Sequence, residues 1–267
     1  MRKTYLLGLL FLSACTTTTQ VATSPASTTQ SGNIVVDGKL FATLFQQRAA
    51  EYRALCFQAF NIARLRLDNY NAPGTKPRAI VTDIDETILD NSPYEAHQVL
   101  QGKDYDPVSW KQWTDKASAD TLPGAASFLK YAASKGVTIF YITNRNESER
   151  ATTLKNLQKF GLPNADDMHL MPRKDTSSKE LRRKAVLATH DIVMLMGDNL
   201  ADFSNLFDKK SADDRMRNTN FSTADFGNRF IVLPNPVYGD WEPVLYNYKK
   251  YTAAQKDSVL KIMLKTY

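Results

Sequence analysis

Cysteine and histidine are scarce in this sequence, which has two Cys and three His among 267 residues. Cys56 is not the nucleophile of a Cys-x₅-Arg motif, because the sixth residue after it is Ile62. None of His97, His169 and His190 stands in an Arg-His-Gly context. The chain also has no Gly-x₄-Gly-Lys-Ser/Thr segment, the pattern of a P-loop. Cysteine-nucleophile, histidine-nucleophile and P-loop chemistries are therefore excluded.

The N-terminal apolar stretch, residues 5–12, is too short to span a bilayer as a helix. It follows Arg2 and Lys3 and ends in Leu12-Ser13-Ala14-Cys15, which resembles a bacterial lipobox. The resemblance implies a signal peptide over residues 1–14 and a lipid on Cys15 that anchors the protein to a membrane. Thr17 stands where Asp retains such lipoproteins at the inner membrane, so we expect the outer membrane. The alternative is an ordinary cleaved signal followed by a chance Cys.

A segment that cannot build a core follows the lipobox. Residues 16–32 are a low-complexity run of Thr, Ser and Gln, so residues 15–36 are predicted to be a lipidated Cys and a flexible tether. Residues 37–267 would then form the folded domain, since 43% hydrophobic and 23% charged residues suffice for one sizeable core. With Cys15 acylated, Cys56 has no partner for an intrachain disulfide and is predicted to be buried and inert.

Charge of one sign is only mildly in excess. The formal charge of +6 belongs to the full sequence, and it falls when the two basic residues of the signal are removed. The densest basic cluster, Arg182–Lys184, lies in a predicted helix, and no aromatic residues alternate with it, so we expect no nucleic-acid polymer as a partner. The excess could attract small anions, or it could be an ordinary solvated basic surface.

Apolar periodicity alternates between strand and helix along the chain. Residues 37–71 predict an N-terminal helical segment, and the aromatic-rich residues 91–122, which lack a strand pattern, predict a cap insertion. Strands are predicted at 79–81, 137–142, 168–171, 192–196 and 230–233, and further helices at 125–135, 147–160 and 180–188. This alternation predicts an α/β fold built on a doubly wound parallel sheet.

Polar side chains follow four of the predicted strands. Asp83 and Asp85 come after the first strand, Thr143 after the second, Lys179 after the third, and Asp198 and Asp202 after the fourth. Because ligands of such sheets bind beyond the carboxyl ends of the strands, we expect these side chains to share one crevice. Two carboxylates held close together repel each other, so a bound cation or a shared proton should accompany them.

The order of these motifs resembles the haloacid dehalogenase superfamily. Asp-x-Asp-x-Thr at residues 83–87 and Gly-Asp-Asn-x-x-Asp at 197–202 resemble its class C acid phosphatases, which include bacterial lipoprotein 5′-nucleotidases. Residues 235–241, Asn-Pro-x-Tyr-Gly-Asp-Trp, and the lipobox agree with that subgroup. A calcium-binding EF-hand is excluded, since counting from Asp83 its Gly and Glu positions hold Ile88 and Tyr94. The resemblance implies a haloacid dehalogenase-like (Rossmannoid) sheet.

The resemblance also implies a role for each carboxylate. Asp83 would be nucleophile and metal ligand, and Asp85 would be general acid and base, with its backbone carbonyl a second ligand. Asp198 would be a third ligand, and Asp202 would act on the metal through water. Mg²⁺ is the expected metal, because it prefers oxygen ligands and the cluster has no His or Cys.

Phosphate binding is implied for three further residues. The Thr143 hydroxyl and the backbone N–H groups that follow it, including that of Asn144, would bind phosphoryl oxygens. Lys179 would balance the charge on Asp83 and on phosphate. From the residues alone, Thr143 could equally be a simple cap and Lys179 a solvated side chain, so these roles depend on the order of the motifs.

Aromatic residues are available to bind the rest of a substrate. Among those near the site we select Trp110 and Tyr238, whose ring faces could hold a nucleobase or a nicotinamide ring. The expected substrates are therefore phosphomonoesters, with 5′-nucleotides and nicotinamide mononucleotide in first place. Packing in the core or in the cap is the alternative role for each of these rings.

Two other functions stay open. One is a surface lipoprotein that binds a ligand and keeps only a vestigial hydrolase site, although intact Asp83, Asp85 and Asp198 argue against it. The other is transfer of the phosphoryl group to an alcohol that competes with water. The sequence leaves a homodimer open as well.

Overall fold

A parallel sheet of five strands forms the centre of the computed structural model, which describes residues 33–267. Its order is β5-β4-β1-β6-β7, and every neighbouring pair is parallel. This confirms the predicted doubly wound parallel sheet. The strands of the chain are β1 (Arg78–Thr82), β2 (Leu89–Asp90), β3 (Asp120–Thr121), β4 (Thr138–Asn146), β5 (Leu170–Arg173), β6 (Asp191–Gly197) and β7 (Phe230–Val232).

Strand β1 lies in the middle of the sheet and is buried on both faces. Alternate residues of a strand point to opposite faces. Ile80 accordingly belongs to the main core, whereas Ala79 and Val81 belong to a second apolar cluster on the other face. The continuous apolar run that predicts this strand thus reflects helices on both sides of a parallel sheet.

Helices cover both faces of the sheet. They are α1 (Ile34–Arg48), α2 (Ala50–Asp68), α3 (Ser92–Leu100), α4 (Pro107–Thr114), α5 (Ala125–Ser134), α6 (Arg150–Lys159), α7 (Glu180–Thr189), α8 (Ala212–Phe221), α9 (Trp241–Leu245) and α10 (Ala253–Met263). Within residues 33–267, none of these helices combines the length and the apolar character that crossing a membrane requires. Cys15 and the proposed tether up to residue 32 lie outside the described residues.

Several elements differ from the sequence prediction. The N-terminal helical segment is two helices, because Ala49 adopts an extended conformation with ψ of 128° between α1 and α2. Strand β4 runs to Asn146, so Thr143 and Asn144 lie within a strand and not in the turn that we predicted. Pairing of Asn146 with Arg173 of β5, across a register shift, extends this strand. Helices α8 and α10 occupy stretches for which the sequence analysis predicted no element.

The predicted cap insertion contains two short helices, α3 and α4. A two-residue antiparallel ladder joins its ends, with Leu89 opposite Thr121 and Asp90 opposite Asp120. Inside it, the rings of Tyr94 and Trp110 meet edge to face with centroids 5.1 Å apart. The ladder fixes the insertion beside the carboxyl end of β1.

The central position of β1 predicts a large cost for shortening its core side chain. Ile80→Ala should lower the free energy of unfolding by about 2–5 kcal/mol, because Ile80 is fully buried and the neighbouring helices cannot refill the cavity. Urea denaturation of the chain measures this change. Leu181→Ala, at a side chain that is 71% exposed in α7, is the control and should change stability by less than about 0.5 kcal/mol. Equal effects of the two variants would contradict the assignment of β1 to the core.

Candidate active site

The predicted site residues meet at the carboxyl ends of β1, β4 and β6. They line a cleft of about 950 Å³, large enough for a phosphate and a substituent of nucleotide size. Both the sheet and the cap contribute to its walls. Eight of the nine predicted residues line the cleft directly, and the ninth, Thr143, does not. The eight are Asp83, Asp85, Trp110, Asn144, Lys179, Asp198, Asp202 and Tyr238.

An ion pair connects two of the carboxylates to one lysine. The Lys179 ammonium donates to Asp83 Oδ1 and lies 2.6 Å from Asp202 Oδ1. All three residues are at most 8% exposed. The Asp83 backbone N–H donates to the Met196 carbonyl of β6 at 2.9 Å, which continues the sheet pairing beyond β1. Burial raises the pKa of Asp83, although the charge of Lys179 acts against it.

Asp198 and Asp202 are held by their own local hydrogen bonds. Asp198 accepts from Thr87 Oγ1 at 3.2 Å and from Asn235 Nδ2 at 2.8 Å. Asp202 accepts from the Asn199 backbone N–H at 3.0 Å, in a capped 3₁₀ turn over Leu200–Asp202. Asp198 and Asp202 are thus brought together by a 3₁₀ turn and not by an α-helix.

Gly197 makes this turn sterically feasible. A Cβ atom at position 197 would collide with the Asp202 side chain, whose carboxylate folds back over the end of β6. Only glycine lacks that atom. The Gly-Asp-Asn-x-x-Asp motif is therefore one structural unit. Gly197 leaves space for the Asp202 side chain, and Asn199 caps the turn.

Three carboxylates form a group suited to a metal ion. One oxygen from each of Asp83, Asp198 and Asp202 lies within 4.8 Å of the others. Lys179 is the cation that pairs with this group within residues 33–267, so negative charge is in excess. Burial and the neighbouring Asp202 raise the pKa of Asp198 well above its usual value. A buried, oxygen-only group with excess negative charge fits a hard divalent cation.

Asp85 faces a different partner. Arg145 clamps its carboxylate, with Nη2 2.7 Å from Oδ1 and Nε 3.0 Å from Oδ1 and 3.2 Å from Oδ2. Asn91 Nδ2 donates to Asp85 Oδ1 at 2.9 Å. Asp85 therefore stands apart from the three-carboxylate group, as a separate catalytic group would. Sequence analysis missed Arg145 and Asn91, although Arg145 follows directly on Thr143 and Asn144.

Thr143 and Asn144 lie beside this clamp. Thr143 is fully buried, and its hydroxyl accepts from the Arg145 backbone N–H at 3.1 Å. Asn144 lines the cleft, and its Oδ1 accepts from Arg182 Nη2 at 2.9 Å. Arg182 also donates to the Thr143 carbonyl. The densest basic cluster of the sequence thus contributes one residue that holds the end of β4 in place.

The two selected aromatic residues line the cleft in unlike settings. Trp110 packs on Tyr94 and lies 5.8 Å from the Arg145 guanidinium, measured from the ring centroid. The hydroxyl of Tyr238 donates to the buried Glu86, a residue with φ of 55°. Burial raises the pKa of Glu86 well above its usual value. The side chains of Trp110 and Tyr238 are therefore both held by neighbouring residues, and both line the cleft.

The far end of the cleft carries a second group of charges, which sequence analysis did not find. Helices α1, α3, α9 and α10 and the loop after α3 supply Lys39, Glu95, Glu242, Lys256 and Asp104. Glu95 is 5% exposed, and burial raises its pKa to about 7 while Lys39 acts in the opposite direction. Residues far apart in sequence form this end, so no local motif marks it.

With the fold and the carboxylates in place, comparison with known families identifies the chain. The family described as HAD superfamily, subfamily IIIB (acid phosphatase), matches residues 13–241. The chain belongs to this subfamily of the haloacid dehalogenase superfamily, as its motifs predict. Proteins of this superfamily typically use a divalent metal, which agrees with the group formed by Asp83, Asp198 and Asp202.

Solved structures resemble the whole described domain. The class C acid phosphatase from Bacillus anthracis is 46% identical, with a TM-score of 0.84 over 87% of this chain and 99% of that one. A structure of the same enzyme with tungstate bound is also 46% identical. Its TM-score is 0.84, over 88% of this chain and 100% of that one. Acid phosphatase 1 from Solanum lycopersicum is 24% identical over 163 residues, which are 59% of this chain and 57% of the relative. The chain thus spans little more than half the length of that curated relative.

The burial of Glu95 predicts a pH-dependent difference in stability. Its folded pKa of about 7 lies above the ordinary glutamate pKa of 4.5, so the unfolded chain binds fewer protons between these values, and stability is lost as pH rises. Glu95→Gln removes this loss. From about pH 5 to about pH 8, the free energy of unfolding of the variant should rise by about 1–3 kcal/mol relative to that of the parent protein.

Chemical denaturation at both pH values measures the gain. Glu51→Gln, at an exposed residue of α2 that forms no ion pair with the described residues, is the matched control and should show no pH-dependent difference. Lys39, Asp104 and Glu242, which act on Glu95, are common to all three proteins, so their own titration cancels. A gap between Glu95→Gln and the parent that is constant with pH would contradict the prediction.

Proposed function

We propose that this protein hydrolyses phosphomonoesters with the aid of Mg²⁺, and that 5′-nucleotides, including nicotinamide mononucleotide, are its substrates. The observation that carries the proposal is the pairing of Asp83 with Lys179 beside Asp198 and Asp202, at the carboxyl ends of β1 and β6. Tungstate is an oxyanion, and its presence in a structure of the Bacillus anthracis enzyme supports an oxyanion site in this fold. Family membership supports the hydrolysis itself.

The proposed first step is attack by the Asp83 carboxylate on phosphorus. The bond from phosphorus to the alcohol oxygen breaks as the aspartyl phosphate forms, and Asp85 gives its proton to that oxygen. Lys179 holds the Asp83 carboxylate through Oδ1 and keeps it from turning. Asp83, Asp198, the Asp85 carbonyl and, through water, Asp202 would hold Mg²⁺, which would supply positive charge that lowers the repulsion between carboxylate and phosphate.

The second step frees Asp83. Asp85, now ionised, takes a proton from a water molecule, whose oxygen attacks phosphorus and breaks the bond to Asp83. Phosphate leaves, and both carboxylates return to their initial states. The clamp by Arg145 and Asn91 keeps Asp85 at one position through both steps, because its hydrogen bonds fix the plane of the carboxylate.

The remaining polar residues suit the phosphoryl oxygens. The Thr143 hydroxyl accepts from Arg145, which leaves its own proton to donate. Asn144 faces the cleft beside it and is fixed by Arg182. We propose that these groups and Lys179 bind the phosphoryl oxygens, while Trp110 and Tyr238 hold the ring of the substrate between them.

The proposed location depends on the sequence at residues 12–17 alone. Lipid on Cys15 would anchor the protein to the outer membrane, and the tether would hold the domain away from the lipid surface. A membrane-attached domain would meet small phosphomonoesters from the surrounding solution. A surface lipoprotein that only binds its ligand remains the alternative, and turnover separates the two.

Loss of the nucleophile should abolish turnover. Asp83→Asn should lower kcat for 5′-AMP, nicotinamide mononucleotide and p-nitrophenyl phosphate by about 10³-fold or more, because an amide cannot form the aspartyl phosphate. Phosphate release by residues 16–267 measures this, with Mg²⁺ and with chelator, and the chelator should remove the activity of the parent protein. Asp213→Asn, at an exposed residue of α8, is the control and should retain activity. No release from any substrate by the parent protein would favour the ligand-binding alternative.

Recognition of the substrate ring should depend on Trp110. Trp110→Leu should raise KM for 5′-AMP by about 5- to 100-fold, since a stacked base contributes about 1–3 kcal/mol. Steady-state kinetics with glycerol phosphate, which has no ring, provides the comparison, and its KM should change much less. Phe221→Leu, at an aromatic residue that is 85% exposed and outside the cleft, is the matched control. Equal effects of Trp110→Leu on both substrates would remove the case for stacking.

A further inference from the structure

Three acidic and two basic side chains form one group at the far end of the cleft, whose lining also includes the exposed Lys249 and Lys250. The carboxylates of Glu95, Asp104 and Glu242 lie there with the ammonium groups of Lys39 and Lys256. No residue of this group has a part in the proposed reaction. Four of the five are nevertheless largely withdrawn from solvent, with side-chain exposures of 9% for Lys39, 14% for Glu242 and 24% for Lys256, and 5% for the whole of Glu95.

The carboxylates of Asp104 and Glu242 form ion pairs with both lysines of the group. Lys39 Nζ lies 2.6 Å from Asp104 Oδ1 and 3.4 Å from Glu242 Oε2. Lys256 Nζ lies 3.6 Å from Asp104 Oδ2 and 3.8 Å from Glu242 Oε1. Each lysine therefore bridges the same two acids, and the four side chains form a closed, neutral arrangement.

Glu95 is the third acid of the group and takes no part in these ion pairs. Its carboxylate forms no side-chain hydrogen bond and no ion pair within residues 33–267, although the residue is 95% buried and lines the cleft. The hydroxyl of Tyr246, another residue that lines this end, is also buried without a hydrogen-bond partner among the described residues. A buried acid without a partner is costly, so a group entering the cleft that pairs with it gains binding free energy.

The unpaired carboxylate of Glu95 determines which chemical group of a ligand would bind there. A carboxylate accepts hydrogen bonds and attracts positive charge, and Lys39 is already held by its own two acids. An N–H donor with positive charge satisfies Glu95 completely, whereas a hydroxyl donates without neutralising the charge. The cleft is continuous from Asp83 and Lys179 to Glu95, so one molecule can occupy both ends.

We propose that the far end of the cleft is a subsite in which Glu95 binds a cationic nitrogen group, an ammonium or a guanidinium, carried by the alcohol part of a phosphomonoester substrate. The subsite selects substrates that are anionic at the phosphate and cationic at the opposite end. This proposal rests on the proposed function, since the phosphate of the same molecule occupies the site at Asp83.

Paired substrates test the subsite. A series of ω-aminoalkyl phosphates of increasing chain length is compared with the ω-hydroxyalkyl phosphates of the same length. At the chain length that reaches Glu95, the parent protein should show a kcat/KM about 10-fold higher for the amine. Glu95→Gln should reduce the ratio of amine to alcohol to about 1, and Glu51→Gln in α2 should leave that ratio as in the parent.

A binding measurement makes the test independent of turnover and of a damaged variant. Calorimetry on Asp83→Asn should give a dissociation constant about 10-fold lower for the amine than for the alcohol at the same chain length. Equal values at every chain length, in kcat/KM and in calorimetry, would overturn the subsite. Failure to release phosphate even from p-nitrophenyl phosphate would instead overturn the proposed function, while an amine preference in calorimetry would still support the subsite.

Discussion

The contact between Lys179 and the two acids Asp83 and Asp202 is the interaction on which the rest of the site depends. It joins the end of β1, the start of α7 and the turn after β6 in a nearly dry environment. Truncating one partner of such a pair costs about 3–5 kcal/mol, because the charges left behind are buried and unpaired. That cost is the penalty of the charges left behind and is not the net stability that the pair provides. The pair holds Asp83, the proposed nucleophile, at one place while leaving the group short of positive charge, which is the condition under which a divalent cation binds.

The second constraint is that two acids separated by one residue lie in different environments. Asp83 continues the sheet through its backbone bond to Met196, whereas Asp85 turns toward β4 and meets Arg145. One acid thus faces a lysine and other acids, and the next faces a guanidinium and an amide. Such different environments would allow a single loop to supply both the proposed nucleophile and the proposed proton carrier. The parallel sheet makes this arrangement available, because its strands all end at the same edge.

Sequence patterns predict the sheet and the carboxylates well, because both are local. An apolar run before Asp83 is sufficient to place β1, and the motif at 197–202 is sufficient to place Asp198 and Asp202. Arg145 was missed because the register shift between β4 and β5 extends β4 beyond its apolar part, which depends on pairing with Arg173. The break at Ala49 carries no Gly or Pro that would mark it. Such features arise from tertiary contacts, and a single sequence does not encode them in neighbouring residues.

The group around Glu95 shows the same limit at the scale of the whole fold. Lys39 and Lys256 are separated by most of the chain, yet both bridge Asp104 and Glu242. Their pairing closes the far end of the cleft with α1 and α10, which are neighbours in space although they stand at opposite ends of the described sequence. A neutral arrangement of four charges would suffice to close it. Glu95 adds a buried acid that closure does not require, so its cost is best understood as offset by a ligand and not by the fold.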